Sequence, residues 1–210
     1  QQIVAKSLVR ELKFQPKRIL ELGCGSGQVY NHISWDLEFY KAIDFSSSMC
    51  ELHPKGENIE VKCFDFDTQE FLDEIKDNSY DIVLSSSALQ WSKDLSKIIK
   101  HLSFITKEIN AVLFTSNTFK TIQKITNTKS PILDELSIKE AFSKYFTCEF
   151  ETIMYKLEFD NKKDLFDYIK KSGVSGEASL DFKDAKKLYK EYNLNYLEFE
   201  VIFVKTISKL

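Results

Sequence analysis

Apolar runs separated by polar breaks divide the chain into alternating elements. Short, dense runs at residues 18–22, 39–43, 59–64, 80–84, 111–115, 150–159 and 196–206 predict strands. Between them apolar residues recur at helical spacing. Ile3, Val4, Leu8, Val9 and Leu12 predict a first helix that stops near Pro16. Val29, Tyr30 and Ile33 predict a helix after a glycine-rich loop, and Ser46, Ser47 and Ser48 cap a short one carrying Met49 and Leu52. Further helices are predicted around Phe71, Leu72 and Ile75, around Leu95, Ile98, Ile99 and Leu102, and over residues 136–146, 162–171 and 181–192. Strands alternating with helices imply a doubly wound, mostly parallel sheet. No internal repeat or low-complexity tract interrupts it.

Composition narrows the class. The 210 residues suffice for one α/β domain, read as residues 1–210, with 43% hydrophobic and 29% charged residues, as expected of a soluble globular chain. No apolar run approaches the roughly 20 residues that span a bilayer. A net charge of −3 argues against nucleic acid as a partner. Cys24, Cys50, Cys63 and Cys148 are scattered without a CxxC pair, which fits reduced thiols in a cytoplasmic protein. The start, Gln1-Gln2-Ile3-Val4-Ala5-Lys6, is not a signal peptide, and residues upstream of Gln1 are expected to be missing.

The chemistry concentrates at Glu21-Leu22-Gly23-Cys24-Gly25-Ser26-Gly27, which closes the first strand. Asp44 follows about 20 residues later, at the end of the second strand, where an acid reaches a ribose hydroxyl pair in a βαβ unit. A dinucleotide loop wants G-x-G-x-x-G, but Gln28 stands where that third glycine would fall. No Gly-Lys-Ser/Thr follows, so a P-loop is excluded. Glu21 would repel a pyrophosphate and suits a cationic ligand.

Glu21-Leu22-Gly23-x-Gly25-x-Gly27 resembles motif I of class I S-adenosylmethionine (SAM) methyltransferases. SAM carries an ammonium, a sulfonium and a ribose, which explains acids around a glycine loop. The resemblance implies a Rossmann-like, seven-stranded α/β sheet whose last strand runs antiparallel between the fifth and sixth. It also implies SAM as cofactor and S-adenosylhomocysteine as product, with no metal. In doubly wound sheets the ligand crosses the carboxyl ends of the strands. The expected cofactor set is therefore Glu21, Gly23, Cys24, Gly25, Gly27, Asp44, Phe45, Met49, Asp65, Phe66 and Ser85. Phe45 and Met49 would sandwich the adenine, although Met49 serves equally well as core. Asp65 would accept from the adenine amino group and the Phe66 N–H would meet a ring nitrogen; Asp67 is the better candidate for a helix N-cap.

The end of the fourth strand, Ser85-Ser86-Ser87-Ala88-Leu89-Gln90-Trp91, lacks the Asn/Asp-Pro-Pro-Tyr of many nitrogen methyltransferases. With Asp94-Leu95 it looks like two carboxylate O-methyltransferase families, malonyl-acyl-carrier-protein methyltransferases of biotin synthesis and trans-aconitate methyltransferases. The stretch 165–174, and Tyr192 with 196–203, look like the first. That resemblance implies methylation of the free carboxylate of a malonyl thioester on an acidic acyl carrier protein, by a monomer, with substrate-covering elements within about 117–195. Ser86 stands where asparagine is common, and the family's covering N-terminal segment is missing.

A carboxylate is already ionised at neutral pH, so the reaction needs no general base. His32, His53 and His101 lie on different predicted elements, in no recognisable constellation. No catalytic acid or base is expected; alignment and desolvation would do the work. Gln90, Trp91 and Phe119 are expected to wall the substrate pocket. Lys170, Lys171, Lys186 and Lys187, within a lysine-rich C-terminal quarter, would dock the acidic carrier or simply be a solvated face. Arg10 and Arg18 are the only arginines, which disfavours a tricarboxylate such as trans-aconitate. A small-molecule carboxylate methyltransferase and a SAM-binding protein without activity are the alternatives.

Overall fold

The computed structural model describes residues 2–171 and 182–207. In chain order the elements are α1 (Gln2–Arg10), β1 (Arg18–Leu22), β2 (Phe39–Asp44), α2 (Ser47–Leu52), β3 (Ile59–Cys63), α3 (Gln69–Ile75), β4 (Ile82–Ser86), α4 (Leu95–Ile105) and β5 (Ile109–Phe114). Then come α5 (Lys120–Thr126), α6 (Glu135–Ser143), β6 (Cys148–Glu158), α7 (Lys162–Lys171), α8 (Phe182–Glu191) and β7 (Tyr196–Thr206). The seven strands form one sheet in the order β3-β2-β1-β4-β5-β7-β6. β1 pairs in parallel with β2 and β4, β2 with β3, and β4 with β5. β7 is antiparallel: the Thr115 N–H bonds to the Glu200 carbonyl while Ile109, earlier on β5, bonds to Thr206, later on β7. The Rossmann-like sheet with an antiparallel last strand is therefore present.

The chain divides into two compact units, Gln1–Leu113 with Leu136–Glu151 and Phe203–Leu210, and Phe114–Glu135 with Thr152–Ile202. In the first, Ile19, Leu20, Leu22, Ile43, Val83 and Leu84 are fully buried, because helices cover both faces of a parallel sheet. Phe71, Leu72 and Ile75 of α3, and Ile98, Ile99 and Leu102 of α4, are buried with them. In the second, Phe114, Phe119, Tyr155 and Tyr168 surround Phe199, with centroid separations of 5.9, 5.0, 5.0 and 6.3 Å. Among the described residues no helix is long and apolar enough to cross a membrane.

One expected helix is almost absent. After the glycine loop only a 3-10 turn forms, at Tyr30–His32. Asn31, His32, Ser34 and Asp36 are weak helix formers, and the Trp35 indole donates to the Pro16 carbonyl at 2.8 Å, pinning the segment extended. Two cap expectations also change. The α3 N-cap is Thr68, whose hydroxyl accepts from the Phe71 N–H; Asp67 instead accepts from Ser92 and the Lys93 N–H. Ser46 stands at the N-cap of α2 without a side-chain cap bond. The fourth strand starts at Ile82 rather than Tyr80, because Asp81 turns its carboxylate onto the Lys17 and Arg18 N–H groups. The predicted helix closure after Lys171 lies outside the described residues.

Candidate functional site: a glycine loop over the ends of the parallel strands

The loop after β1 is held by main-chain bonds. The Gly23 and Cys24 N–H groups both donate to the Ile43 carbonyl, at 2.7 and 3.0 Å. Gly23 has φ +72°, and a Cβ there would lie 2.0 Å from the Ala88 Cβ, so the turn after β4 packs directly on it. Gly25 has φ +51°, and a Cβ there would meet nothing within 4 Å. Gly25 therefore presents bare backbone to open space, as close approach of a ligand requires. Cys24 is buried and burial pushes its thiol up, so it supplies main chain rather than a nucleophile.

Glu21 is not the free carboxylate expected beside this loop. It is 1% exposed, accepts a short hydrogen bond from the Tyr40 hydroxyl, and lies 3.9 Å from His53 Nε2. Burial pushes its pKa up, while the nearby His53 ring and the hydrogen bond from Tyr40 pull it down; His53 Nε2 itself makes no hydrogen bond. The cause is register: Glu21 pairs with Ala42 on the face of β2 from which Tyr40 projects. His53 Nδ1 donates to the Pro54 carbonyl at 2.9 Å, and Pro54 Cδ would lie 2.5 Å from a Cβ on Gly27. His53-Pro54 thus floors the loop. The sequence reading missed this contact, since nothing local links a residue after α2 to β1.

Asp44 holds the other side. Its Oδ2 accepts from the Gly25 N–H at 2.8 Å and its Oδ1 from the Ser46 N–H at 2.9 Å. A carboxylate has about four lone-pair sites, so each oxygen can still accept from a ligand hydroxyl. Next to it Phe45 is 75% and Met49 40% exposed, two large apolar side chains on the surface beside a buried acid. Asp65 is exposed and accepts from the Asp67 N–H at 2.9 Å, and Phe66 is nearly buried. Phe66 borders a cavity of about 230 Å³ lined also by Asp67, Leu72, Lys93, Lys97 and Ile98. Ser85 departs from expectation: it is fully buried and its hydroxyl donates to the Leu22 carbonyl at 2.9 Å, tying β4 to β1.

Residues 20–112 match the profile of a family described as methyltransferase domain. These residues are similar to a methyltransferase domain over somewhat less than half of the chain. Over 128 residues the chain is 29% identical to malonyl-[acyl-carrier protein] O-methyltransferase of Bacillus anthracis, covering 60% of this chain and 47% of that protein. The chain thus spans about half the length of the curated relatives it matches. A putative methyltransferase structure from Bacillus halodurans superposes with a TM-score of 0.64 at 13% identity, covering 96% of each chain. Magnesium protoporphyrin IX methyltransferase from Synechocystis PCC 6803, solved with bound S-adenosylhomocysteine, gives 0.57 at 15% identity over 98% of this chain and 83% of that one. At such identities these structures establish the fold.

SAM fits the residues of this site. Gly25 opens a cradle, Asp44 keeps acceptor capacity, and Phe45 and Met49 offer uncovered apolar surface for a flat ring. The β4 end of the site is a 3-10 turn, Leu89–Trp91. Gln90 is 3% exposed and donates from Nε2 to the Ser87 carbonyl at 2.8 Å; Ser87 itself has φ +61°. Neither Gln90 Oε1 nor Ser87 Oγ has a hydrogen-bond partner, although both are buried. Trp91 is 42% exposed. Phe119 belongs to the second unit, where it is buried against Phe199 with φ +59°. Lys170 on α7 and Lys186 and Lys187 on α8 are exposed in that unit, and the Lys171 side chain lies outside the described residues. Phe166 packs on Tyr189 and Tyr192, so α7 and α8 present their lysines from one joined helix pair.

Proposed function

We propose that this chain is a SAM-dependent O-methyltransferase acting on the free carboxylate of a malonyl group carried by an acyl carrier protein, as in biotin synthesis. In this reading residues 1–210 act as one methyltransferase domain, monomeric and cytoplasmic, with covering elements within about 117–195. The cofactor half rests on one observation: an open Gly25, a buried Asp44 and the exposed Phe45 and Met49 adjoin at the ends of β1 and β2. Bound there, SAM supplies an electrophilic methyl group on a sulfonium.

The chain's own residues orient and dehydrate. Gly25 lets a ligand lie against main chain, and Asp44 accepts from its ribose hydroxyls. Phe45 and Met49 cover the adenine, and Asp65 and Phe66 meet its edge. Cys24 contributes backbone, and Glu21 acts from beneath the loop through Tyr40 and His53. Gln90 and Trp91 wall the substrate side. A malonyl carboxylate enters ionised, so no residue need take a proton and no metal is required.

Two features favour the carrier protein as substrate. The relatives above carry that activity in their name. Lys170, Lys186 and Lys187 stand on the packed α7–α8 pair, and with Lys171 they would face an acidic carrier. The test is transfer of labelled methyl from SAM to malonyl-carrier protein, with malonyl-CoA and trans-aconitate in parallel. Preference for the carrier protein is expected. Labelling of trans-aconitate alone would make the chain a small-molecule methyltransferase, and tight SAM binding without any transfer would make it a binding protein. Charge reversal at Lys170, Lys186 and Lys187 should weaken use of the carrier protein and spare malonyl-CoA.

A further inference from the structure

Two cysteines flank the end of β2. Cys50 on α2 is 8% exposed, and its Sγ lies 3.6 Å from the carbonyl oxygens of both Asp44 and Lys62. Cys63, the last residue of β3, is exposed and donates its S–H to the Phe45 carbonyl at 3.3 Å. In the parallel ladder Cys63 stands opposite Asp44. The Lys62 carbonyl that Cys50 reaches belongs to the residue before Cys63, and the two thiols bond to the carbonyls of the consecutive residues Asp44 and Phe45, which sets them side by side at the end of β2. Cys24 turns its thiol to the Gly25 carbonyl, and Cys148 lies on β6.

We propose that Cys50 and Cys63 form a reversible thiol–disulfide site, closed by a peroxide, whose closure weakens ligand binding at Asp44 and Phe45. The bond itself is independent of the cofactor reading; the effect on binding rests on it.

The asymmetry of the pair sets the order of events. Cys63 is the exposed sulfur, whereas burial pushes the Cys50 thiol up to about 11. The Cys63 sulfur attacks one peroxide oxygen, giving a sulfenic acid and one water. The Cys50 sulfur then attacks the Cys63 sulfur, its proton leaves with the hydroxide as a second water, and the S–S bond forms. Two electrons pass from the two sulfurs to the peroxide. A small-molecule thiol reverses the bond by exchange.

Closure acts on the site for a geometric reason. The sulfurs must approach to about 2.05 Å, well inside any thiol–thiol contact, which draws α2 towards the end of β3. Neither sulfur then carries a hydrogen, so the Phe45 carbonyl loses the donor that Cys63 supplies and Cys50 can donate to neither Asp44 nor Lys62. Phe45 and Ser46 join β2 to α2 and Met49 lies on α2 itself, so all three shift with the helix.

The experiment treats the reduced whole chain with hydrogen peroxide, maps its peptides by mass, and measures affinity for S-adenosylhomocysteine calorimetrically. The expected results are a Cys50–Cys63 linkage, roughly 10-fold weaker binding, and recovery of both on adding dithiothreitol. Cys63→Ser should bind as the reduced wild type does and ignore peroxide; Cys50→Ala should block the linkage from the other side. Oxidation of Cys63 onward to sulfinic acid without a linkage would overturn the site. A linkage that leaves affinity unchanged would overturn its effect. Failure of the reduced chain to bind S-adenosylhomocysteine would sink the cofactor reading while the peptide map still decided the bond.

Discussion

His53 Nε2 lies 3.9 Å from Glu21 Oε2, with both side chains out of solvent beneath the glycine loop. A carbonyl only accepts, so the His53 Nδ1 that faces the Pro54 carbonyl carries a proton. Tyr40 donates to the same Glu21 oxygen. Burial nevertheless raises the Glu21 pKa above its ordinary 4.5. A group whose pKa is higher in the folded state stabilises it fully below the unfolded value, and that contribution fades as pH rises through the folded value. Glu21→Gln removes the titration while keeping an acceptor for Tyr40. Its melting temperature relative to wild type should therefore climb between about pH 4 and pH 7. Paired thermal melts at the two pH values check this, and a difference independent of pH would contradict it.

Two glycines of the loop should respond oppositely to the same substitution. Gly23→Ala places a methyl 2.0 Å from the Ala88 Cβ at φ +72°, and should cost about 3 kcal/mol or more of stability. Gly25→Ala meets no neighbour and should cost only about 1–2 kcal/mol for its left-handed backbone. The Gly25 variant should fold yet bind SAM poorly, because the methyl stands where the cofactor would lie. Denaturant melts and calorimetry separate the two outcomes.

Asp44 joins structure to binding. Asp44→Asn turns an amide N–H₂ towards either the Gly25 or the Ser46 N–H, leaving one donor facing another. Losing a charged hydrogen bond of this kind should cost about 1.5–3 kcal/mol of stability and weaken SAM binding at least roughly 10-fold. Unchanged affinity in a folded variant would remove Asp44 from the site.

Phe45 tests the adenine face without disturbing the core. It is three-quarters exposed, so Phe45→Ala should change stability by no more than about 0.5 kcal/mol. Stacking of a base on an aromatic ring contributes about 1–3 kcal/mol, so affinity for SAM should fall roughly 10-fold. Titration with S-adenosylhomocysteine reads this directly.

The geometry of the candidate site was legible where it is built from consecutive residues. Gly23, Gly25 and Gly27 appear in the chain as they do in the fold, since left-handed turns and close approaches require that residue type. Asp44 was legible through spacing, because a βαβ unit returns the second strand beside the first. Glu21 was misplaced because its direction depends on which face of β1 covers the ring of Tyr40, which strand periodicity alone leaves open. The Ser85 hydroxyl was assigned to the cofactor, whereas pairing of β4 with β1 brings it to the Leu22 carbonyl. Ser85 and Ser87 are alike in sequence; only backbone direction leaves one bonded and the other orphaned.

The amino-acid sequence by itself determined the alternation of strands and helices, the glycine turn and the acid that follows it. Each depends on local backbone preference or on a repeat short enough to read within one segment. Tertiary structure alone decided that His53-Pro54 floors the loop, that Ala88 seats on Gly23, and that Cys50 and Cys63 bond to neighbouring carbonyls at the end of β2. Those contacts join residues on separate elements, and their partners are chosen by how the elements pack rather than by what each prefers alone.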